Sequence, residues 1–306
     1  MHTARVSDRL LVITGDYLDE HMTVVATGDG LVVIDTLATL PATRAALPAI
    51  AAFSRQPVRF VINTHCDADH TAGNQLFTGA TIVGHRHAPR HDQERVFDDP
   101  QSVADIQQFI QQLEANPDHA LPAERRRRYL DAYRTLLDGF AGFRHTPPVV
   151  LAAGGTGLAL GDIRIELEDA APAHTDADLL VRVPALDLLV AGDTVLGAGF
   201  VPVAHAIHGG SVTGMRAVLE RLAAGLPPAT RVIPGHGAPG GLDLIARQRD
   251  YLDALLDAVG QARAQGRTLE EMRDSLQLEP FRDHFMYDLV HTIHVEMAWR
   301  ETAPGS

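Results

Sequence analysis

The fold and chemistry of this chain are indicated first by the stretch Asn63-Thr64-His65-Cys66-Asp67-Ala68-Asp69-His70, which follows the apolar run 58–62. This stretch places two imidazoles and two carboxylates within six residues. Because side chains alternate between the two faces of a strand, a continuous strand would not point all four groups the same way. A turn that leaves the end of a strand can fold them around one centre. The stretch therefore predicts a metal-binding loop.

Three later residues extend this pattern: His174 in Ala-His-Thr-Asp, Asp193 in Ala-Gly-Asp-Thr and His236 in Pro-Gly-His-Gly. Each follows or ends a short apolar segment. The chain has 16 histidines, so one such site alone carries little weight. The whole series, with glycine beside Asp193 and His236, favours metal ligands over the alternative of loop histidines and helix-capping aspartates.

Together these motifs resemble the metallo-β-lactamase superfamily over residues 24–237. In that family a His-x-His-x-Asp-His loop, a later His, an Asp and a last His bind one or two metal ions. The resemblance implies an α/β fold, an αββα four-layer sandwich of two mixed β-sheets flanked by helices. It also implies seven ligands, namely His65, Asp67 and His174 in a first site, Asp69, His70 and His236 in a second, and Asp193 as the bridge.

Asp67 stands where the family usually has its second histidine. Three ionised aspartates and one hydroxide would cancel the charge of two divalent ions, and the neutral centre would be a weaker Lewis acid. Hard oxygen donors also shift metal preference from zinc toward iron or manganese. We expect one or two divalent ions, with zinc first on family grounds and iron or manganese as the alternative. In a third option Asp67 only hydrogen-bonds to a ligand, and the second site alone is filled.

Five short segments resemble the cyclase-like branch, which includes thioesterase-cyclases of aromatic polyketide biosynthesis. Their positions are 62–65, 73–77, 173–176, 208–211 and 249–252. The resemblance implies activation of a β-keto carbonyl or hydrolysis of a carrier thioester, in secondary metabolism.

Metal-bound water is the simplest nucleophile that this set of residues can make, because no serine or cysteine stands in a convincing triad. A divalent ion lowers the pKa of bound water from 15.7 to about 7, which gives hydroxide at neutral pH. We predict a hydrolase acting on an ester, thioester, lactone or amide of a small molecule. Asp69 and Asp193 are the predicted catalytic residues. His205 and His208 are predicted to contact substrate or to act as acid or base, with loop packing as the alternative.

Two other classes of function remain open. Asp67 suggests a carboxylate-rich di-iron or manganese enzyme that reacts with oxygen, although no flavin partner domain is apparent. The second is a non-catalytic sensor that has kept a metal site.

The composition limits the classes of molecule that the protein is expected to bind. The chain has 306 residues, 45% of them hydrophobic, and a formal net charge of −13, which argues against nucleic acid because phosphate backbones require clustered cations. The basic cluster 125–128 lies in an acidic helical segment and is interpreted as a solvated face. The chain shows neither an export signal nor a run long enough to span a membrane, so we expect a cytoplasmic protein. Its one cysteine, Cys66, is interpreted as an inert neighbour of the metal loop, and no oligomeric state is predicted.

Apolar patterns predict strands at 10–14, 23–27, 31–35, 58–63, 81–84, 158–160, 163–167, 179–183, 188–191 and 231–234. Helices are predicted at 39–53, 71–77, 102–116, 123–140, 242–260 and 269–299, with Ser102 and Asp105 as a capping box. We expect a single domain over 1–306 with a helical insertion at about 95–145 and C-terminal helices at about 242–300. The insertion is either a lid over the site or a peripheral helical hairpin.

Overall fold

The computed structural model describes residues 1–91, 100–115, 121–139 and 141–303. The chain divides into two compact units. One comprises Met1–Glu168 with Val181–Leu186, and the other Asp169–Leu180 with Asp187–Ser306.

A sheet of seven strands runs through the first unit in sequence order. Its strands are β1 (His2–Arg5), β2 (Leu10–Thr14), β3 (His21–Thr27), β4 (Gly30–Ile34), β5 (Val58–Ile62), β6 (Thr81–His85) and β7 (Val150–Ala152). Strands β1 to β4 pair antiparallel, and β4 to β7 pair parallel. The parallel pairing places the carboxyl ends of β4 and β5 at the same edge.

Helix α1 (Leu40–Phe53) connects β4 to β5 and begins at Thr39, whose side chain accepts a hydrogen bond from Ala42 N. Its Ala46 and Ile50 pack against buried strand residues such as Val33. This apolar packing fixes the β4–α1–β5 crossover that positions the loop after β5.

A short helix, α2 (Ala68–Thr71), lies within the metal loop, and a 3₁₀ turn follows at Asn74–Leu76. The prediction of one helix over 71–77 is therefore wrong. A side chain at Gly73 would overlap Thr36 O and the Thr43 side chain, so the chain passes too close to its neighbours here for a regular surface helix.

The helices predicted at 102–116 and 123–140 correspond to α3 (Pro100–Ala115) and α4 (Ala123–Gly139). The rings of Phe109 and Tyr133 meet edge to face with centroids 4.7 Å apart. The predicted capping box is wrong, because α3 begins at Pro100 and Ser102 already lies inside its first turn.

A second sheet has the strand order β12-β11-β10-β9-β8. Its strands are β8 (Thr156–Leu160), β9 (Ile163–Asp169), β10 (Leu179–Val183), β11 (Leu188–Gly192) and β12 (Arg231–Pro234). The predicted strands at 158–160 and 163–167 pair antiparallel as β8 and β9, with Gly161 in the left-handed region at φ +60°. Strands β11 and β12 pair parallel, so their carboxyl ends also share an edge.

Helices of the second unit surround a large apolar core that includes Leu219, Leu252, Leu255 and Val295. They are α5 (Val212–Gly225), α6 (Leu242–Ala264), α7 (Leu269–Ser275) and α8 (Tyr287–Glu301). The predicted helical run 269–299 is broken between α7 and α8. Pro280, which lacks an N–H and disfavours helix before it, lies in a 3₁₀ turn there.

Among the helices of the described residues, none combines the length and apolar content that a transmembrane segment requires.

Candidate metal centre

The predicted metal loop leaves the end of β5, and four of its side chains form two ligand pairs. His65 Nε2 lies 3.9 Å from Asp67 Oδ2, and His70 Nε2 lies 3.7 Å from Asp69 Oδ2. Two donors that each lie about 2.1 Å from a common ion are separated by at most about 4.2 Å. A single ion could therefore bind both donors of either pair.

Asp35, at the end of β4, holds this loop from the neighbouring strand. Its Oδ1 accepts from Thr64 N at 2.8 Å, and its Oδ2 accepts from Thr64 Oγ1 at 2.7 Å. Asp35 is buried, and its φ of +57° is a left-handed conformation that Asp tolerates better than most residues. Asp35 was missed in the sequence, where the only signal was its position directly after an apolar strand.

These hydrogen bonds also determine which nitrogen of each histidine can bind a metal. His70 Nδ1 lies 3.1 Å from Asp35 Oδ2 and donates to it. His65 Nδ1 lies 3.0 Å from Thr64 Oγ1, which accepts because its own hydrogen goes to Asp35. Both Nδ1 atoms thus carry the proton, and both Nε2 atoms present a lone pair, as metal-binding histidines require.

In the second unit, one oxygen of Asp193 lies near two histidines. Asp193 Oδ2 is 3.7 Å from His174 Nε2 and 3.5 Å from His236 Nε2. Asp193 follows β11 and His236 follows β12, whose parallel pairing brings their ends together. A single oxygen within ligand spacing of both imidazoles is what a bridging carboxylate requires.

The ring of His174 is fixed by backbone rather than by a carboxylate. Its Nδ1 donates to Val203 O at 2.6 Å, and its own carbonyl accepts from His205 N at 2.7 Å. A side chain at Gly210 would overlap the His174 carbonyl, so glycine is needed at this close approach. As in the first unit, the Nδ1 proton is engaged and Nε2 is left to bind a metal.

Gly235 makes room for the Asp193 carboxylate. A Cβ at Gly235 would overlap Asp193 Oδ1 and lie 2.9 Å from both Cγ and N of Asp193. Glycine stands beside both Asp193 and His236 in the sequence, and at Gly235 the Asp193 carboxylate takes the space that a side chain would need.

His205 and His208 lie on the same loop as Val203. The rings of His205 and His174 stack with centroids 5.8 Å apart, and His208 meets His205 edge to face at 4.0 Å. His208 is buried and His205 is half-buried. His205 therefore lies beside a predicted ligand and His208 lies beside His205, and the role of both in substrate binding stays a prediction.

Cys66 donates a weak hydrogen bond to Asp67 Oδ1, with Sγ 3.8 Å from the oxygen. A thiol that donates has kept its proton, whereas metal ligation requires the thiolate. This geometry supports its interpretation as an inert neighbour.

The helical insertion packs beside the metal loop in the first unit. Leu136 of α4 is buried with Ala72, and Tyr133 packs against the same cluster beside Ala68. Burial raises the pKa of Tyr133, and the charge of the nearby Asp69 raises it further. The α4 helix therefore shapes the surroundings of Asp69.

The donors described here are imidazole nitrogens and carboxylate oxygens, a combination that suits divalent zinc, iron or manganese. Groups of such side chains with metal-binding spacing are present among the described residues.

The chain is similar to one protein family and to several solved structures. The family model described as the metallo-beta-lactamase superfamily matches residues 16–236. Among solved structures, a metallo-beta-lactamase from Pontibacter korlensis is 18% identical with a TM-score of 0.57, over 82% of this chain and 98% of that one. The mono-zinc form of the metallo-beta-lactamase FIM-1 from Pseudomonas aeruginosa is 15% identical with a TM-score of 0.57, over 83% and 95%.

The stereoselective inverting sec-alkylsulfatase Pisa1 from Pseudomonas sp. is 17% identical with a TM-score of 0.69, over 99% of this chain. This chain spans 50% of the length of that sulfatase. At these identities the likeness shows the fold, and it confirms the predicted αββα sandwich of two mixed sheets. Because the family match covers more than half of the sequence, this chain belongs to the metallo-beta-lactamase superfamily.

Proposed function

We propose that this protein is a metal-dependent hydrolase that acts on an ester, thioester, lactone or amide of a small molecule. The observation that carries the proposal is the pairing of ligand donors in each unit. Every predicted ligand has a partner donor within 3.9 Å, and three of the four histidines have Nδ1 held by a neighbouring acceptor.

The seven proposed ligands bind one or two divalent ions. They are His65, Asp67, Asp69, His70, His174, Asp193 and His236. When bound, such an ion would lower the pKa of its bound water to about 7 and would act as a Lewis acid on a carbonyl oxygen.

The protein's own groups would orient the histidine ligands and transfer protons. Asp35 holds the proton on His70 Nδ1, and the Val203 carbonyl holds the proton on His174 Nδ1. The Asp69 side chain is 19% exposed, so its carboxylate is open enough to orient a nucleophile or to carry a proton away. The Asp193 carboxylate, at 10%, is more enclosed and suits a bridging ligand.

Zinc is the leading metal on family grounds, with iron or manganese as the alternative. The distance of 3.9 Å between Asp67 Oδ2 and His65 Nε2 favours Asp67 as a ligand over a role in hydrogen bonding alone. An added oxygen donor shifts preference toward the harder ions. A carboxylate-rich iron or manganese enzyme that reacts with oxygen is therefore the second candidate function.

The narrower proposal is a thioesterase-cyclase that takes a carrier-bound thioester. It rests on the short segments that resemble the cyclase-like branch, on His205 lying beside His174, and on His208 lying beside His205.

Removal of metal tests the proposal. Chelator-treated protein should lose turnover of a panel of aryl ester, thioester, lactone, amide and sec-alkyl sulfate substrates, and zinc, manganese or ferrous ion should restore it. The His70→Ala variant should stay inactive after metal is added back, whereas His2→Ala, which changes an exposed histidine in β1, should behave as wild type.

Full turnover by metal-free protein would overturn the proposal. Oxygen uptake with bound iron and no hydrolysis would favour the second candidate, and bound metal with neither reaction would favour a sensor.

A further inference from the structure

A buried chain of polar groups connects helices α6 and α8 in the second unit. Tyr251 on α6 places its hydroxyl 3.1 Å from Nδ1 of His291 and 3.1 Å from Nδ1 of His294, both on α8. All three side chains are buried, at 1%, 3% and 0% exposure. They belong to none of the predicted ligand or substrate positions.

The ends of this chain fix the direction of every hydrogen bond. Ala204 N donates to His294 Nε2 at 3.1 Å, so that nitrogen is an acceptor and Nδ1 of the same ring carries the proton. His294 Nδ1 then donates to the Tyr251 oxygen, and the Tyr251 hydroxyl donates to His291 Nδ1. His291 Nε2 donates to Leu276 O at 3.0 Å.

The protonation states agree with this direction. Burial lowers the pKa of His294 from 6.5 to about 3, and the nearby His291 acts the same way. Burial also lowers the pKa of His291 and raises that of Tyr251 well above its usual 10. All three groups are therefore neutral near pH 7, as a chain with one hydrogen per bond requires.

This series of hydrogen bonds ends on the backbone segment that contacts a proposed metal ligand, His174. Ala204, which donates to His294, stands between two residues that bind His174. Val203 O accepts from His174 Nδ1, and His205 N donates to the His174 carbonyl. The segment Val203–His205 is thus hydrogen-bonded to α8 through Ala204, and to His174 through Val203 and His205.

We propose that Tyr251, His291 and His294 are positioning residues, which hold the Val203–His205 backbone and thereby the ring orientation and tautomer of His174. The inference rests on the proposed role of His174 as a metal ligand. Partners that orient a metal-binding histidine commonly contribute tenfold to a hundredfold to metal affinity. Here that contribution passes through a backbone segment rather than through a direct side-chain contact.

The experiment measures Co²⁺ affinity and the visible spectrum of the Co²⁺-loaded protein, which reports ligand geometry independently of turnover. His294→Leu removes the acceptor for Ala204 N and should weaken Co²⁺ binding by about tenfold to a hundredfold. His294→Gln keeps an acceptor oxygen and should recover most of the affinity. Tyr251→Phe should weaken binding and alter the spectrum, because it leaves both imidazoles without their shared hydroxyl.

Leu255→Ala is the matched control, since Leu255 is a fully buried core residue of α6. It should lower the unfolding temperature and leave Co²⁺ affinity unchanged.

Wild-type affinity in folded His294→Leu and Tyr251→Phe would overturn the inference while leaving the proposed function intact. Equal losses in Leu255→Ala and the network variants would also overturn it, because general destabilisation would then explain the effect. Wild-type protein that binds no Co²⁺ would overturn both proposals.

Discussion

The substitution Gly235→Ala gives a specific prediction about the metal centre. The added Cβ would overlap Asp193 Oδ1 and lie 2.9 Å from Asp193 Cγ. Carbon atoms pack at about 3.5–4.0 Å, so the carboxylate carbon must recede by at least about 0.6 Å. Gly235 itself is held in place, because its N–H donates to Gly192 O and Val195 O at 2.8 and 3.1 Å.

A shift of this size matters because metal–ligand distances are held to about 0.2 Å. The displaced Asp193 Oδ2 would leave its present spacing to His174 and His236, so a bridging carboxylate would be lost. Contacts that only orient a metal ligand already contribute about tenfold to a hundredfold to metal affinity. Because this substitution displaces a ligand itself, we expect the affinity to fall by about a hundredfold or more. Overpacking should also lower the free energy of unfolding of the metal-free protein by about 1–3 kcal/mol.

Competition titration against a chromophoric chelator measures the affinity, and urea unfolding measures the stability. Gly241→Ala is the control, because a Cβ there meets only Asp243 Oδ1 at an ordinary 3.4 Å. A folded Gly235→Ala protein that binds metal as tightly as wild type would refute the placement of Asp193 in the centre.

Three further predictions concern single positions. Asp35→Asn removes a carboxylate oxygen that accepts from Thr64 and His70, and should weaken metal affinity by about tenfold to a hundredfold; an unchanged titration curve would contradict this. Asp67→His should raise the ratio of zinc to iron and manganese bound from a mixed-metal buffer, and an unchanged ratio by elemental analysis would argue against Asp67 as a ligand. The folded pKa of His294 lies below its unfolded value. The unfolded chain therefore takes up a proton as the pH falls from 6.5 toward 3, and stability is lost over that window. Urea unfolding of metal-free protein at pH 7 and pH 5 should show a smaller loss in His294→Leu than in wild type, and equal losses would refute the assignment.

The positions of the ligands at strand ends followed from the sequence, because the motifs are local and each directly follows an apolar segment. His65 after β5, Asp193 after β11 and His236 after β12 all lie where this reasoning placed them. The family and fold followed from the same motifs and are confirmed by the comparisons. The cyclase-like branch and the roles of the site residues stay predictions.

The residues that hold the ligands did not follow from the sequence, because their roles depend on which segments become neighbours in space. Asp35 acts on His70 across two parallel strands, and Val203 reaches His174 from a loop 29 residues away. Neither position carries a local motif.

Helix α5 was not predicted, although its start carries a local signal, because the Ser211 side chain accepts a hydrogen bond from Gly214 N. Its first turn is stabilised by Glu301 of α8, whose carboxylate accepts from Val212 N and Thr213 N at 3.1 and 2.8 Å. The contact with Glu301, about 90 positions away, adds to this local cap and carries no signal in the sequence around α5. The break between α7 and α8 also has a local signal, Pro280, although the apolar pattern around it favours one continuous helix.

The proposed function depends on metal binding by the donor pairs within each unit. Elemental analysis of wild-type, His70→Ala and His236→Ala proteins, each dialysed against the same zinc, manganese or ferrous buffer, measures it most directly. We expect one or two equivalents of metal in wild type and the loss of at least one equivalent in each variant. Metal-free wild-type protein, or a metal content that neither variant changes, would contradict it.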